Sequence, residues 1–109
     1  MRIRLHCKDL MTRTRLGSRW QAAGADLLRP HANEAPDLIV IDLGEPDAAE
    51  TLAAERIRYP AARILVFGPH VEGEALRAAK AAGADEAVVR GKVAERVLPL
   101  GAQRRTGTD

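Results

Sequence analysis

The stretch Ala35-Pro-Asp-Leu-Ile-Val-Ile-Asp-Leu-Gly-Glu-Pro46 decides the fold. Leu38, Ile39, Val40 and Ile41 form a run that is apolar on both faces of a strand. Two-sided apolarity marks a central strand of a parallel sheet, covered by helices above and below. The run ends on one carboxylate, Asp42, followed by the turn-forming Gly44, Glu45 and Pro46. A buried strand thus delivers an acid to its C-terminal tip. In an open α/β sheet that tip is where functional groups gather.

Working outward, strand signals alternate with helical ones. Residues 2–7 read as a strand and residues 10–23 as a helix with Leu16, Trp20 and Ala23 on one face. Gly17 weakens that helix by about 1 kcal/mol relative to Ala. Gly24 is a helix stop, and residues 25–28 form a short strand. Residues 38–42 are the third strand, and residues 47–59 a helix with Asp47 as its cap. Residues 63–67 form a second fully apolar strand, and residues 71–82 a helix stopped by Gly83. Residues 86–89 are the fifth strand, and Pro99 cuts short a last helix beginning at Lys92. Alternation of this kind predicts a doubly wound parallel α/β sheet.

Composition narrows the chemistry. A chain of 109 residues suits one domain. At 46% hydrophobic but 3% aromatic, its core is aliphatic, which disfavours stacking platforms for single-stranded nucleic acid. The single Cys7 excludes an internal disulfide framework and a Cys-based zinc site, and reads as a small buried hydrophobe. The start of the chain is too polar for a signal peptide, and no apolar run has membrane-spanning length, so a cytoplasmic location is expected. Charge is uneven: residues 1–35 carry Arg2, Arg4, Lys8, Arg13, Arg15, Arg19 and Arg29 against Asp9, Asp26 and Glu34, whereas residues 36–55 carry only acids. His6, His31 and His70 are scattered and read as structural or solvated. Residues 1–100 are expected to form the domain and residues 101–109 a flexible C-terminal tail.

The segment Pro36-Asp-Leu-Ile-Val-Ile-Asp-Leu-Gly-Glu-Pro46 resembles the receiver domain of bacterial response regulators. That family shows Pro-Asp, an apolar run, then Asp-x-x-Met-Pro. Residues 81–91 resemble its Ala-Gly-Ala-Asp motif, and residues 24–28 and 63–70 fall at matching places. The resemblance covers residues 2 to about 98 and implies a flavodoxin-like five-stranded sheet of order 2-1-3-4-5. It makes Asp42 the equivalent of the phosphoacceptor. Such a domain transfers a phosphoryl group with help from Mg²⁺, a Lys and a Ser or Thr, because charge on the transferring oxygens must be compensated.

Against that pattern the pocket is altered. Cys7 and Lys8 stand at the family's acidic pair, with Asp9 just after; a thiol is a poor Mg²⁺ ligand and an ammonium repels the ion. Gly68 replaces the Ser or Thr, Arg90 the Lys, Glu45 the Met, and Ala87 the switch aromatic. The resemblance therefore implies a degenerate member, a pseudo-receiver. No cofactor is expected, with Mg²⁺ only if Asp9 and Asp42 form a residual site. A cation, Lys8 or Arg90, is expected to pair with Asp42 in place of the metal; the alternative is that Asp42 simply caps or hydrogen-bonds the loop that follows it. Replacing Lys8 with Ala should then cost much more than about 1 kcal/mol.

The family's helix between strands two and three is expected to be missing or reduced. Only residues 29–36 separate those strands, and eight residues at about 3.3 Å each reach roughly 26 Å, enough to cross strand one but not to hold a full helix. Strand one agrees: Ile3, Leu5 and Cys7 face one way, Arg2, Arg4 and His6 the other. Arg2, Arg4 and His6 are expected on the face the helix would cover, which is either closed by the loop and its own long side chains or open to an acidic partner or a second subunit. Arg77, Lys80, Arg90, Lys92 and Arg96 form a second basic strip, at the surface where receivers commonly pair.

The expected function is an atypical receiver-like signalling module without catalysis of its own, acting through a protein partner or a homodimer. The alternative is an active phosphoacceptor in a two-component phosphorelay using Asp42. Nucleic-acid binding through the basic first half lacks a motif. Flavin binding has only a faint phosphate-loop echo in residues 11–18 and no aromatic sandwich.

Overall fold

In the computed structural model, residues 1–29, 31–68 and 73–101 are described. Strands β1 (Arg2–His6), β2 (Asp26–Leu28), β3 (Leu38–Asp42), β4 (Arg63–Gly68) and β5 (Glu86–Val89) form one parallel sheet of order β2-β1-β3-β4-β5. This is the predicted flavodoxin-like topology. Helices α1 (Leu10–Ala22) and α4 (Val93–Gly101) cover one face; α2 (Ala48–Arg58) and α3 (Gly73–Ala81) cover the other.

Strand alternation explains the two cores. Leu38 and Val40 of β3 join Ile3, Leu5, Leu65 and Phe67 under Leu16 and Trp20 of α1 and Val97 of α4. Ile39 and Ile41 point the other way, with Ile64 and Val66 under Leu52 of α2 and Ala79 of α3. All five residues of β3 are buried, as a central strand requires. Each fully buried aliphatic side chain contributes about 1.5–3 kcal/mol, so this strand anchors the sheet. Trp20 adds a polar tie, its indole N–H donating to the Ala94 carbonyl at 3.3 Å.

Element ends mostly follow the sequence reading, with three adjustments. Thr12 rather than Ala23 completes the buried stripe of α1, because Ala23 already caps the helix end. Asp47 occupies the N-cap of α2 but makes no side-chain cap; its carbonyl instead accepts from Thr51 N at 2.9 Å. The last helix runs on through Pro99 to Gly101, after a 3₁₀ turn over Arg90–Lys92. The rest of the expected tail, 102–109, lies outside the described residues, as do residues 71–72 of the expected third helix and His70. Gly24 and Gly83, both with positive φ, follow the ends of α1 and α3, where a left-handed residue closes the helix.

Between β2 and β3 no helix forms among the described residues. The segment crosses β1 as an irregular strap, and a buried cation holds it. Arg4 of β1 donates from Nη2 to the carbonyls of Ala32 and Glu34, at 2.9 and 3.1 Å. Its Nη1 meets both carboxylate oxygens of Glu55 in α2 at 3.3 Å. Tyr59 lies under the guanidinium, 5.3 Å from ring centroid to Cζ. One side chain thus ties strand, strap and helix together.

Candidate functional site

Asp42 ends β3 at 3% exposure, so its carboxylate needs partners. The turn after it supplies one: Gly44 N–H donates to Oδ1 at 2.8 Å. The Cys7 thiol, at the end of β1, donates to Oδ2 at 3.5 Å. The charge partner comes from β5. Val89 pairs with Gly68 at the sheet's edge, so Arg90 emerges one residue beyond, at the mouth of the site. Its Nη2 bridges both oxygens of Asp42, at 3.2 and 3.1 Å. The guanidinium crosses the Phe67 ring, 5.1 Å from its centroid, and Nη1 turns to Thr12 Oγ1 at 3.5 Å. Phe67 is the register partner of Asp42 on β4.

Lys8 does not join this pair. Its side chain is 74% exposed, and its Nζ lies 3.9 Å from Glu45 Oε1. Its backbone N–H donates to Glu45 Oε2 at 3.0 Å. The expectation that Lys8 compensates Asp42 is therefore corrected: the residue after β1 points outward, and Arg90 alone among the described cations reaches the carboxylate.

Asp9 is likewise placed elsewhere. It is exposed and accepts a hydrogen bond from the Thr12 hydroxyl, which holds its carboxyl below the usual range. Glu45, not Asp9, is the second carboxylate near Asp42. Cys7, Asp42 and Glu45 present ligand atoms all within 4.8 Å of one another. Their chemistry does not suit the Mg²⁺ that the receiver pattern implies. That ion wants several hard oxygens. Burial pushes the Cys7 thiol above its ordinary value, so it stays protonated at neutral pH, and the Asp42 oxygens already hold Arg90. Gly68 ends β4 with no hydroxyl to offer a phosphoryl group.

Two of the residues expected on an open surface are also corrected. Arg4 is 3% exposed, spent on Glu55 and the strap. His6 Nε2 lies 2.8 Å from Glu55 Oε2. The face left by the missing helix is closed by an internal acid; of the three, only Arg2 is exposed. In the second strip, Arg77, Lys80 and Lys92 are exposed, whereas Arg96 pairs with Glu86, its Nη2 2.8 Å from Oε1. Sequence reasoning missed Glu55 and Glu45. A signal for Glu55 existed: Ala48, Leu52 and Glu55 share one helical face, so the acid sits in the buried stripe of α2.

No family model matches the chain, and no curated protein does. Solved structures do. A response regulator from Thermotoga maritima superposes with TM-score 0.79 at 15% identity, over 94% of this chain and 98% of that one. A response regulator protein from Burkholderia pseudomallei, with a phosphorylated aspartic acid, calcium ion and citrate, gives TM-score 0.81 at 18% identity. It matches 91% of this chain, which spans 65% of that one. The Vibrio cholerae chemotaxis protein CheY4 gives 0.78 at 18% identity, over 91% and 97%. Together with the strand order, these show the CheY-like, receiver-type flavodoxin fold. Among the described residues no helix is long and apolar enough to cross a membrane.

Proposed function

We propose that this chain, built on the receiver fold, is a pseudo-receiver: a signalling module that works through protein contacts without Mg²⁺-dependent phosphotransfer. The observation that carries this reading is the Asp42–Arg90 pair. In a receiver, charge on the Asp is offset by an exchangeable metal. Here a covalently attached guanidinium sits on both oxygens, and the neighbouring thiol donates to one of them. The site is neutralised from within, with its acceptor oxygens turned to internal donors. Readout then falls to the surface, through a partner chain or a second copy.

Backbone amide NMR tests this. Millimolar Mg²⁺ followed by beryllofluoride, a phosphoryl mimic, should leave Asp42, Gly44, Gly68 and Arg90 unmoved. Saturable shifts centred on those residues would restore the phosphoacceptor reading, with Asp42 modified in a phosphorelay.

A further inference from the structure

The edge of the sheet at β2 has features that neither the Asp42 site nor the fold explains. Among the described residues β2 has β1 as its sole sheet neighbour, leaving the outer side of Asp26–Leu28 without a ladder. Asp26 N donates to Met1 O at 2.8 Å, so Asp26 and Leu28 direct their backbone groups toward β1. By strand alternation, the N–H and C=O of Leu27 point to the open edge.

An open groove flanks this edge on each face of the sheet. On the α1 face, a groove of about 520 Å³ is lined by Leu5, Leu10, Gly17 and Leu27, with Arg13 and Arg29 among its polar walls. On the strap face, a groove of about 450 Å³ is lined by Arg2, Asp26, Leu28, Arg29, Ala32 and Glu34, so its charge is mixed, whereas the α1 groove carries Arg13 and Arg29 and no acid. Leu27 and Leu28 border both grooves; by register Leu27 pairs with Ile3, on the α1 face, and Leu28 with Arg4, on the strap face.

Gly17 bears on the α1 groove directly. It lies in the interior of α1 without positive φ, so the backbone does not require glycine. Nor does packing: an added Cβ would meet only Leu27 Cγ, at an ordinary 4.0 Å. The helix bears the cost of a mid-helix glycine, and the result is a deeper groove. Arg13 and Arg29 are exposed and, among the described residues, have no acid within ion-pair distance. Leu10 is 71% exposed at the groove's end.

From these observations we infer that β2 is an augmentation site for an extended segment of a partner protein, with acidic side chains set among apolar ones. The segment adds as a sixth strand, exchanging main-chain hydrogen bonds with Leu27. Its alternate side chains enter the two grooves, and its acids meet Arg13 and Arg29. Main-chain pairing supplies affinity and the side-chain grooves supply selectivity. The inference rests on the reading of the chain as a contact module only in that it supplies the contact. The β2 edge is separate from Asp42, and a pocket that answered beryllofluoride would leave it standing.

The test is an NMR titration of the full chain with an eight-residue peptide alternating valine with aspartate or glutamate. A valine–lysine peptide of equal length is the control. Saturable shifts at Gly17, Leu27, Leu28 and Arg29 with the acidic peptide alone, and slowed exchange of the Leu27 amide, are expected. Gly17→Leu, which fills the groove with a better helix former, should weaken binding at least about tenfold while leaving the melting temperature equal or higher. Arg13→Glu with Arg29→Glu should do likewise. Equal response to both peptides, no response at millimolar peptide, or β2 shifts that follow protein concentration alone would overturn the proposal. The last outcome would assign the edge to a second copy.

Discussion

Arg90 reaches Asp42 across an intervening strand. Asp42 tips β3 and Arg90 follows β5, with β4 and its Phe67 between them. Two strand spacings are about 9.6 Å, so only a long side chain spans the gap, and the ring of Phe67 forms its floor. Removing one member of a buried pair costs about 3–5 kcal/mol, and exposure of one partner reduces this. Asp42 is 4% and Arg90 33% exposed at the side chain, so Arg90→Ala should cost about 2 kcal/mol. Asp42→Asn, which removes the charge needing compensation, should cost less. Urea midpoints of the two variants and their double mutant measure this. Costs that simply add would mean that the pair is not coupled.

Lys8 gives the complementary case. Its ammonium is solvated and only loosely placed beside Glu45. Lys8→Ala should change stability by less than about 0.5 kcal/mol. A loss above about 1 kcal/mol in the same urea series would make Lys8 a compensator of Asp42 after all.

The fold was legible because β3 and β4 are apolar on both faces and the chain alternates cleanly between periods. The charge partners were not. Strand order says which tips are neighbours, yet Lys8 and Arg90 both follow strands near Asp42, and side-chain direction decides between them. Arg4 was misplaced for a related reason. Its position on the strap-side face was correct, but a polar residue on a strand reads as exposed. Its burial depends on Glu55, fifty-one positions away, whose own place in an apolar helical stripe was the missed signal.

Arg4 and Glu55 are buried together, and His6 adds a third polar group. Glu55→Ala leaves the Arg4 guanidinium buried without an acid and should cost about 3–5 kcal/mol. Pairing it with Arg4→Met should recover part of that loss, since the uncompensated charge is gone. Chemical denaturation of the three variants decides; a double mutant as unstable as the sum of the singles would deny the coupling.

The same cluster predicts an acid limb. Burial pushes Glu55 up, but the His6 hydrogen bond and the Arg4 charge outweigh it, so its carboxyl sits below the ordinary value. A group depressed in the folded state stabilises fully above its unfolded pKa, about 4.3, and loses that contribution as pH falls through the folded value. Stability should therefore fall as pH drops below about 4.3. Glu86, lowered by Arg96, adds to the same limb. Urea midpoints between neutral pH and pH 3 should show a shallower acid slope for Glu55→Gln than for wild type. An identical slope would remove Glu55 from the linkage.

Gly83 and Gly24 separate backbone strain from crowding. Both have positive φ, +119° and +97°, so alanine at either is strained by about 1–2 kcal/mol. At Gly24 a new Cβ meets nothing within 4 Å, and the cost stops there. At Gly83 it would lie 2.8 Å from Arg56 Cγ. Arg56 has little room to retreat: it donates to the carbonyls of Gly83 and Ala62 and to Asp85, each at 2.8 Å. Gly83→Ala should therefore cost more than Gly24→Ala by about 1–3 kcal/mol, the penalty of overpacking. Thermal and urea unfolding of the two variants give the difference directly. Equal losses would mean that Arg56 shifts freely, and that its bonds to the β5 approach contribute little to holding α2 against the sheet.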